Sequence, residues 1–211
     1  MNEKTLEGYH ATTIKRSEII LKDGFKISKS NADTWEWLGD GVYFWEDDYY
    51  AVQWNVIDIE KNKTNLNEYA ILKSIIKVNK AKLFEMSSPE GSIIYNELRD
   101  LLINKLVKEG FETYVDKLLK KSDKFWVNLL EDNGFFDEFD VVTAVYKNEK
   151  NIEKYKDDII LNVQKQICVK NDKCIKKTMI YEDKERILNL FSIIFRRRKE
   201  IKNEKIEKII K

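Results

Sequence analysis

Three short segments of the sequence, YHAT, GVYF and QICV, carry side chains that could bind a planar ligand and act on it. The imidazole of His10 forms hydrogen bonds at neutral pH, the ring of Tyr43 stacks on flat groups, and the carboxamide of Gln166 both donates and accepts. Each residue lies at or beside a short run of β-branched or aromatic residues. The pattern predicts a site that distant parts of the chain build together, each from a strand.

The segment GVYF belongs to a cluster of aromatic residues, WLGDGVYFWEDDYYAVQW, which holds most of the tryptophans of the chain. A packed core needs aliphatic side chains, and Ile and Leu are plentiful elsewhere. Flat rings beside flexible glycines are typical of a cleft for a planar group, because Gly39 and Gly41 let the backbone pass close to a ligand. A helix beginning in this cluster would place Tyr50 and Trp54 one turn apart on one face.

Strands must position these residues. Alternating or β-branched segments predict the three strands that carry His10, Tyr43 and Gln166, and further strands at YAILKSIIKV, KLFEM, FDVVTAVY and CIKKTMIY. Successive side chains of a strand point to opposite faces. Gln166 is therefore predicted on the face opposite to Ile167 and Val169, which face the core.

Helical spacing of apolar residues predicts two helices near these strands. One follows His10, with Thr13 as its N-cap and Gly24 as its C-terminal stop. The other begins in the aromatic cluster, with Asp47 or Asp48 as its N-cap.

The predicted fold class is α+β. An antiparallel sheet is interrupted by a helical insert at about 88–134, and a C-terminal helix covers about 183–211. One proline, Pro89, and seven glycines provide no flexible linker. We therefore expect a single domain over 1–211.

Two cysteines lie on either side of a turn signal. If Asn171-Asp172 forms the turn of a hairpin, Cys168 and Cys174 point to opposite faces and cannot form a disulfide. His10 is the only histidine of the chain, so a zinc site lacks ligands and no metal is expected.

The overall charge gives no sign of a polyanionic partner. Lys and Arg number 38, and Asp and Glu number 37, so the net charge is +1. Any affinity for nucleic acid must therefore come from a local patch. The first residues lack an apolar signal region, and no run is long enough to cross a bilayer. We expect a cytoplasmic protein without a membrane partner.

Taken together and in this order, the three segments resemble the signature of the ADP-ribosyltransferases of the poly(ADP-ribose) polymerase and diphtheria-toxin type. That family has a His after an aromatic residue, a Tyr in Gly-x-Tyr-Phe, and a Glu or Gln heading a strand of the form Glu/Gln-x-x-Val. Here these residues are His10, Tyr43 and Gln166. The resemblance covers both ends of the chain, and the stretch between Ser87 and Asn133 would be an insertion. It implies a split antiparallel β-sheet that binds NAD.

The resemblance implies catalytic roles for His10, Tyr43 and Gln166. His10 would hydrogen-bond a ribose hydroxyl, and Tyr43 would stack on nicotinamide, with Tyr50 or Trp54 on the other side. Ala11 stands where the family has glycine, and its backbone would pair with the nicotinamide carboxamide. The residues expected to bind NAD are His10, Ala11, Thr12, Gly41, Tyr43, Tyr50 and Trp54.

The implied activity is NAD-dependent mono-ADP-ribosyl transfer, a pentosyl-transferring glycosyltransferase reaction, to a nucleic acid or protein acceptor. Gln166 replaces the usual glutamate and cannot act as a general base, and in this family that loss is associated with loss of chain extension. Small stand-alone enzymes of this type often serve as toxins or phage-defence effectors held by an antitoxin or other regulatory partner.

Two other hypotheses remain open. One is a catalytically inactive module that binds NAD or ADP-ribose. The other is a structural interaction protein that uses the helical insert and the basic run FRRRK. That run is typical of a solvated helix end, and it is also compatible with a phosphate-binding patch.

Overall fold

The computed structural model describes residues 2–30, 36–147 and 163–210. Within these ranges the chain forms seven strands and six helices. The strands are β1 (Glu3–Thr13), β2 (Val42–Trp45), β3 (Tyr69–Asn79), β4 (Leu83–Glu85), β5 (Val141–Lys147), β6 (Val163–Val169) and β7 (Ile175–Ile180). The helices are α1 (Ile14–Asp23), α2 (Asp48–Asn62), α3 (Pro89–Lys108), α4 (Glu112–Leu119), α5 (Asp123–Asp132) and α6 (Lys184–Ile210).

The helix ends follow the capping residues in the sequence. The Thr13 hydroxyl accepts a hydrogen bond from the backbone N–H of Arg16 at 3.3 Å, and Gly24 ends α1 at a φ of 82°. Asp47, rather than Asp48, caps α2 by accepting from the backbone N–H of Tyr49 at 2.7 Å. Side-chain oxygens at this position satisfy backbone donors that have no partner within the helix.

The mixed α and β class is confirmed, as are helices in the predicted insert and at the C-terminus. Helices α3, α4 and α5 occupy the insert. Helix α6 covers the C-terminal prediction except Asp183, which precedes the helix, and Lys211, which lies outside the described residues. In the described ranges, no helix combines the length and apolar character that a membrane crossing requires.

All seven strands form one mostly antiparallel sheet in the order β4-β5-β6-β2-β1-β3-β7, in which only β4 and β5 are parallel neighbours. β1 pairs with β3 along its whole length. Its pairing with β2 is limited to Tyr9 opposite Trp45. Strand pairing is therefore shortest between β1 and β2. We call this place the junction; it separates a first half-sheet (β4-β5-β6-β2) from a second half-sheet (β1-β3-β7).

One face of both half-sheets shares a single core, which we call the central cluster. It consists of Leu6, Val42, Phe44, Ile76, Val78, Val141, Ile167, Val169 and Cys174. Leu6, Ile76 and Val78 come from the second half-sheet, so both half-sheets contribute side chains to this cluster.

The predicted hairpin between β6 and β7 is wrong. β6 pairs with β2 and β5, whereas β7 pairs with β3 at the far edge of the sheet. In a flat sheet four strand spacings, about 19 Å, would separate β6 from β7. The connection is only residues 170–174 and includes a 3-10 turn, so a bend between the half-sheets is what allows it. Asn171 does begin a turn, but the strand that follows it, β7, pairs with β3 and not with β6.

The opposite face carries two further clusters. The insert cluster lies under α3 and α5 on the first half-sheet and contains Leu38, Phe84, Met86, Tyr95, Leu102, Trp126, Val127, Leu130, Phe136, Val142, Ala144 and Cys168. The helix cluster joins α2 and α6 to β3 through Ala51, Val52, Val56, Ile71 and Ile194. The free thiols Cys168 and Cys174 lie in different clusters, on opposite faces.

Candidate functional site

The three strands that carry His10, Tyr43 and Gln166 are neighbours in the sheet. His10 lies on β1, Tyr43 on β2 and Gln166 on β6, and these strands follow one another in the order β6-β2-β1. Tyr43 is opposite Cys168, and Gln166 is opposite Trp45. The backbones of the three segments thus lie side by side, but their side chains do not share one face. The ring of His10 contacts Phe25 and Phe44 on the face of the central cluster, whereas Tyr43 and Gln166 lie on the face of the insert cluster.

His10 bridges the junction with its side chain. Its Nδ1 lies 2.8 Å from the backbone oxygen of Tyr43. A carbonyl oxygen only accepts, so Nδ1 carries the proton, and Nε2 of the neutral ring is an acceptor. The partly buried imidazole also contacts the rings of Phe25 and Phe44, with centroids 5.1 and 5.8 Å away.

Burial lowers the pKa of His10 below its ordinary value of 6.5. The hydrogen bond to the Tyr43 carbonyl opposes this shift, and the nearby guanidinium of Arg16 adds to it. The imidazole is therefore neutral at neutral pH. The Nε2 atom of this neutral ring can therefore accept a hydrogen bond but cannot donate one.

Tyr43 holds a loop. Its hydroxyl donates to the backbone oxygen of Gly39 at 2.6 Å and accepts from the N–H of Leu38 at 2.8 Å. The ring packs against the insert cluster, and burial raises the pKa of the phenol. The hydroxyl is thus occupied within the protein, and the ring lies against the insert cluster.

Trp45 is the aromatic residue that lies beside Tyr50 and Trp54, and the sequence analysis did not single it out. Among the described residues, its centroid lies 5.9 Å from that of Tyr50 and 6.4 Å from that of Trp54. The sequence paired Tyr50 or Trp54 with Tyr43 instead. Alternation along β2 could have revealed Trp45, because residues two positions apart share a face.

Gln166 is held by Trp37. The indole N–H of Trp37 donates to Oε1 of Gln166 at 2.5 Å. Ile167 and Val169 lie in the central cluster, as predicted. Cys168, on the same face as Gln166, is also fully buried, and burial raises its pKa to about 12. β6 is therefore enclosed on both faces at this point.

The glycines of the Gly-Asp-Gly turn serve the internal packing of the protein. Gly39 has a φ of 81°, and a Cβ there would overlap the carboxylate of Glu131. A Cβ at Gly41 would overlap the sulfur of Cys168. Close approach of backbone to side chains therefore explains both glycines. The sequence had assigned them to a ligand.

The helical insert supports this turn from α5. Glu131 accepts from the backbone N–H of Asp40 at 2.8 Å and forms an ion pair with Lys170. Lys170 also donates to the backbone oxygens of Leu38 and Asp40, at 3.2 Å each. Asn128 is joined through Ser30 to the backbone oxygen of Glu36. The insert thus fixes the loop that carries Trp37.

Ala11 and Thr12, which follow His10 on β1, point to opposite faces of the sheet. Ala11 is partly buried against the helix cluster, and Thr12 is buried. The methyl group of Ala11 therefore fills space between β1 and the helices.

Helix α2, which carries Tyr50 and Trp54, is fixed by buried charge. Asp48 is 4% exposed and accepts hydrogen bonds from Arg186 and from the hydroxyl of Tyr181, the latter at 2.8 Å. Burial raises the pKa of Asp48, but these hydrogen bonds outweigh it and keep the pKa below its usual range. The aromatic face of α2 is thus held at the sheet.

The basic run FRRRK is partly structural. Arg198 donates two hydrogen bonds to Glu60 at 2.9 and 3.0 Å, which joins α6 to α2. Lys199 lies over the ring of Phe195. Arg196 is exposed.

Neither of two cavities in the described part of the chain is lined by His10, Tyr43 or Gln166. One, of about 340 Å³, is lined by Lys170, Glu131 and Phe136 among others; the second, of about 240 Å³, includes Phe25, which contacts His10. Within the same ranges, no group of three or more His, Cys, Asp or Glu side chains could hold a metal ion.

Comparisons with known proteins add no functional assignment. No family model matches the chain. An uncharacterized protein of Methanocaldococcus jannaschii is 28% identical over 204 residues, which cover 88% of this chain and 91% of the relative. No solved structure matches the fold. The similarity spans most of both chains, and the name of the relative states no activity.

Proposed function

We propose that the chain is an NAD-dependent mono-ADP-ribosyltransferase with a split-sheet NAD cleft at the junction of β1 and β2. The observation that carries the proposal is the placement of His10, Tyr43 and Gln166 on three adjacent strands beside that junction. A sheet that pairs through one residue pair leaves backbone groups of β1 and β2 available for a ligand.

The side chains around the junction are compatible with NAD. Nε2 of His10, on the face of the central cluster, accepts a hydrogen bond from a ribose hydroxyl. The rings of Tyr43 and Trp45 lie on the opposite face, so NAD that also stacks on them must cross the junction between β1 and β2. Arg16 is exposed and close enough to His10 to affect its pKa, so its guanidinium is a candidate partner for the pyrophosphate.

The reaction breaks the bond between the ribose C1′ and the nicotinamide nitrogen, and its electron pair leaves with nicotinamide. A lone pair of the acceptor then forms the new bond to C1′, and the acceptor loses its proton to solvent. Preorganised hydrogen bonds to the ribose stabilise the oxocarbenium-like transition state. Gln166 can supply such a bond but cannot take a proton, which favours transfer of a single unit.

The acceptor is proposed to be a nucleic acid or a protein. A cytoplasmic toxin or phage-defence effector, held by an antitoxin or other regulatory partner, is the setting proposed for such an enzyme.

The test is release of nicotinamide and transfer of label from NAD labelled in its adenylate half, in a cell lysate. His10→Ala and Trp45→Ala should each lower the rate about 100-fold, which corresponds to about 2.7 kcal/mol of lost transition-state stabilisation. Tyr114→Ala is the control, because Tyr114 is an exposed ring on α4. Equal rates for folded wild type and all three variants would reject the proposed site.

A second candidate is a non-catalytic module that binds NAD or ADP-ribose. It is favoured by the carboxamide at position 166, whose oxygen is already bonded to Trp37. Calorimetric binding of NAD without any nicotinamide release would select this candidate, whereas turnover by wild type that His10→Ala abolishes would eliminate it.

A further inference from the structure

We infer that Trp37 is a positioning residue for Gln166: its indole N–H fixes the carboxamide so that the NH2 group, and not the carbonyl oxygen, is available to a ligand. The orientation follows from the geometry alone. Its consequence for the reaction rests on the proposed function.

The orientation of the amide is determined by its partner. An indole N–H is only a donor, so the atom 2.5 Å away must be the carbonyl oxygen of Gln166. Rotating the amide by 180° would place two donors against each other and lose the bond. Nε2 therefore remains as the donor that Gln166 offers to a ligand.

Trp37 is itself held from both sides. Before it, the backbone oxygen of Glu36 accepts from the hydroxyl of Ser30 at 2.8 Å. After it, the backbone oxygen of Leu38 accepts from Lys170 at 3.2 Å. The ring of Trp37 also packs against the insert cluster. The indole is thus confined by its own loop and by the insert, and it can act as a fixed template for the amide.

A donor at this position limits the chemistry of the site. The NH2 group of Gln166 can bond a lone pair of the ribose 2′-oxygen while charge develops at C1′. It cannot accept the proton of an incoming hydroxyl, so the site selects acceptors that attack without a base at this position. Loss of the Trp37 bond would let the amide rotate, which weakens transition-state binding more than NAD binding.

The orientation is tested without any turnover, by NMR of the indole N–H groups of 15N-labelled protein. The resonance of Trp37 is assigned by its disappearance in Trp37→Phe. In Gln166→Ala it should move and exchange faster with water, whereas the resonance of Trp126 stays in place. Trp126 is the matched reference, because its buried indole N–H has no hydrogen-bond partner among the described residues. An unmoved Trp37 resonance would overturn the inference, whatever the activity of the protein.

A pH titration of Gln166→Glu adds a second readout. Its introduced carboxylate should accept from the indole N–H, so the Trp37 resonance should titrate with that carboxylate. In Gln166→Glu combined with Trp37→Phe, the carboxylate should titrate at higher pH, because a donor that favoured its charged form is gone. The same carboxylate pKa in both proteins would contradict the contact.

The catalytic consequence is measured last, with NAD. In Trp37→Phe, kcat for nicotinamide release should fall about tenfold with KM within about twofold, as expected for one lost hydrogen bond made in the transition state. Trp126→Phe should leave kcat unchanged once its lower stability is allowed for. An NMR response without turnover by wild type would support the positioning role and reject the proposed function. Full kcat in Trp37→Phe would reject the catalytic consequence alone.

Discussion

His10 takes over a task that backbone pairing performs elsewhere in the sheet. Beyond the pair of Tyr9 and Trp45, β1 and β2 separate, and the imidazole reaches across to the backbone oxygen of Tyr43. The rings of Phe25 and Phe44 deprive a charged imidazole of hydration. A neutral ring at this point holds the junction together and keeps Nε2 as an acceptor.

The stability of the protein should therefore depend on pH through His10. Because the pKa is lowered in the folded state, the unfolded chain binds a proton first as the pH falls through about 6.5. The stabilising contribution is fully present above that pH and is lost below it. Urea unfolding at about pH 7.5 and about pH 5.5 should show a larger loss for wild type than for His10→Asn.

The chain offers a clean comparison because it has a single histidine. The difference between the two proteins at the two pH values then reports His10 alone, since all other groups contribute equally to both. The same loss in wild type and His10→Asn would mean that the imidazole titrates alike in the folded and unfolded states.

Sequence motifs revealed the strands of the site because each motif is local. The patterns around His10, Tyr43 and Gln166 predicted strands, and the structure brings those strands side by side. The partners of the side chains were not predictable, because they come from distant segments. Nothing near Trp37 in the sequence indicates its bond to Gln166, which is 129 positions away.

Among the elements, the Gly-Asp-Gly turn shows how the insert contributes to the site. The turn is held by α5 through Glu131 and by Lys170, the residue that follows β6. It in turn holds the hydroxyl of Tyr43 through Gly39 and carries the chain from Trp37 into β2. The insert is thus a support for the loop, a role that composition and periodicity could not show.

Gly39→Ala should destabilise the protein far more than a glycine substitution with similar backbone geometry. Gly39 and Gly110 have φ values of 81° and 87°, so alanine is strained at both positions. Only at Gly39 would the new methyl group displace a neighbour, the carboxylate of Glu131; Gly110 has nothing within 4 Å. We expect about 3 kcal/mol of lost unfolding free energy for Gly39→Ala and about 1 kcal/mol for Gly110→Ala, measured by urea denaturation. Equal losses would show that backbone strain alone requires glycine at position 39.

The pairing of the strands was the part of the fold that the sequence did not specify. Turn residues at Asn171-Asp172 and two flanking strands are the usual signal of a hairpin. That signal reports the turn and not the partner of the returning strand. β7 pairs with β3 because the bend of the sheet brings the second half-sheet to the end of β6.

For the whole molecule, the central cluster compensates for the weak junction. β1 and β2 share one residue pair and the His10 hydrogen bond, yet side chains of both half-sheets interlock beneath them. Gly8 of β1 shows how closely they fit, since a Cβ there would lie 2.6 Å from Cβ of Phe44 in β2. Neither half-sheet can bury its apolar face without the other.

The two half-sheets should therefore unfold as one cooperative unit. Hydrogen exchange of the native protein, followed by mass spectrometry in increasing urea, should show peptides from β3 and from β5 losing protection at the same urea concentration. Gly8→Ala should lower that concentration for both peptides together, by an amount equivalent to about 1–3 kcal/mol, because overpacking at position 8 separates the halves. If β5 stayed protected after β3 had exchanged, the half-sheets would be independent units and the central cluster would not be a shared core. Coincident loss in wild type and in Gly8→Ala would show that the central cluster, and not the short pairing of β1 with β2, holds the two half-sheets together.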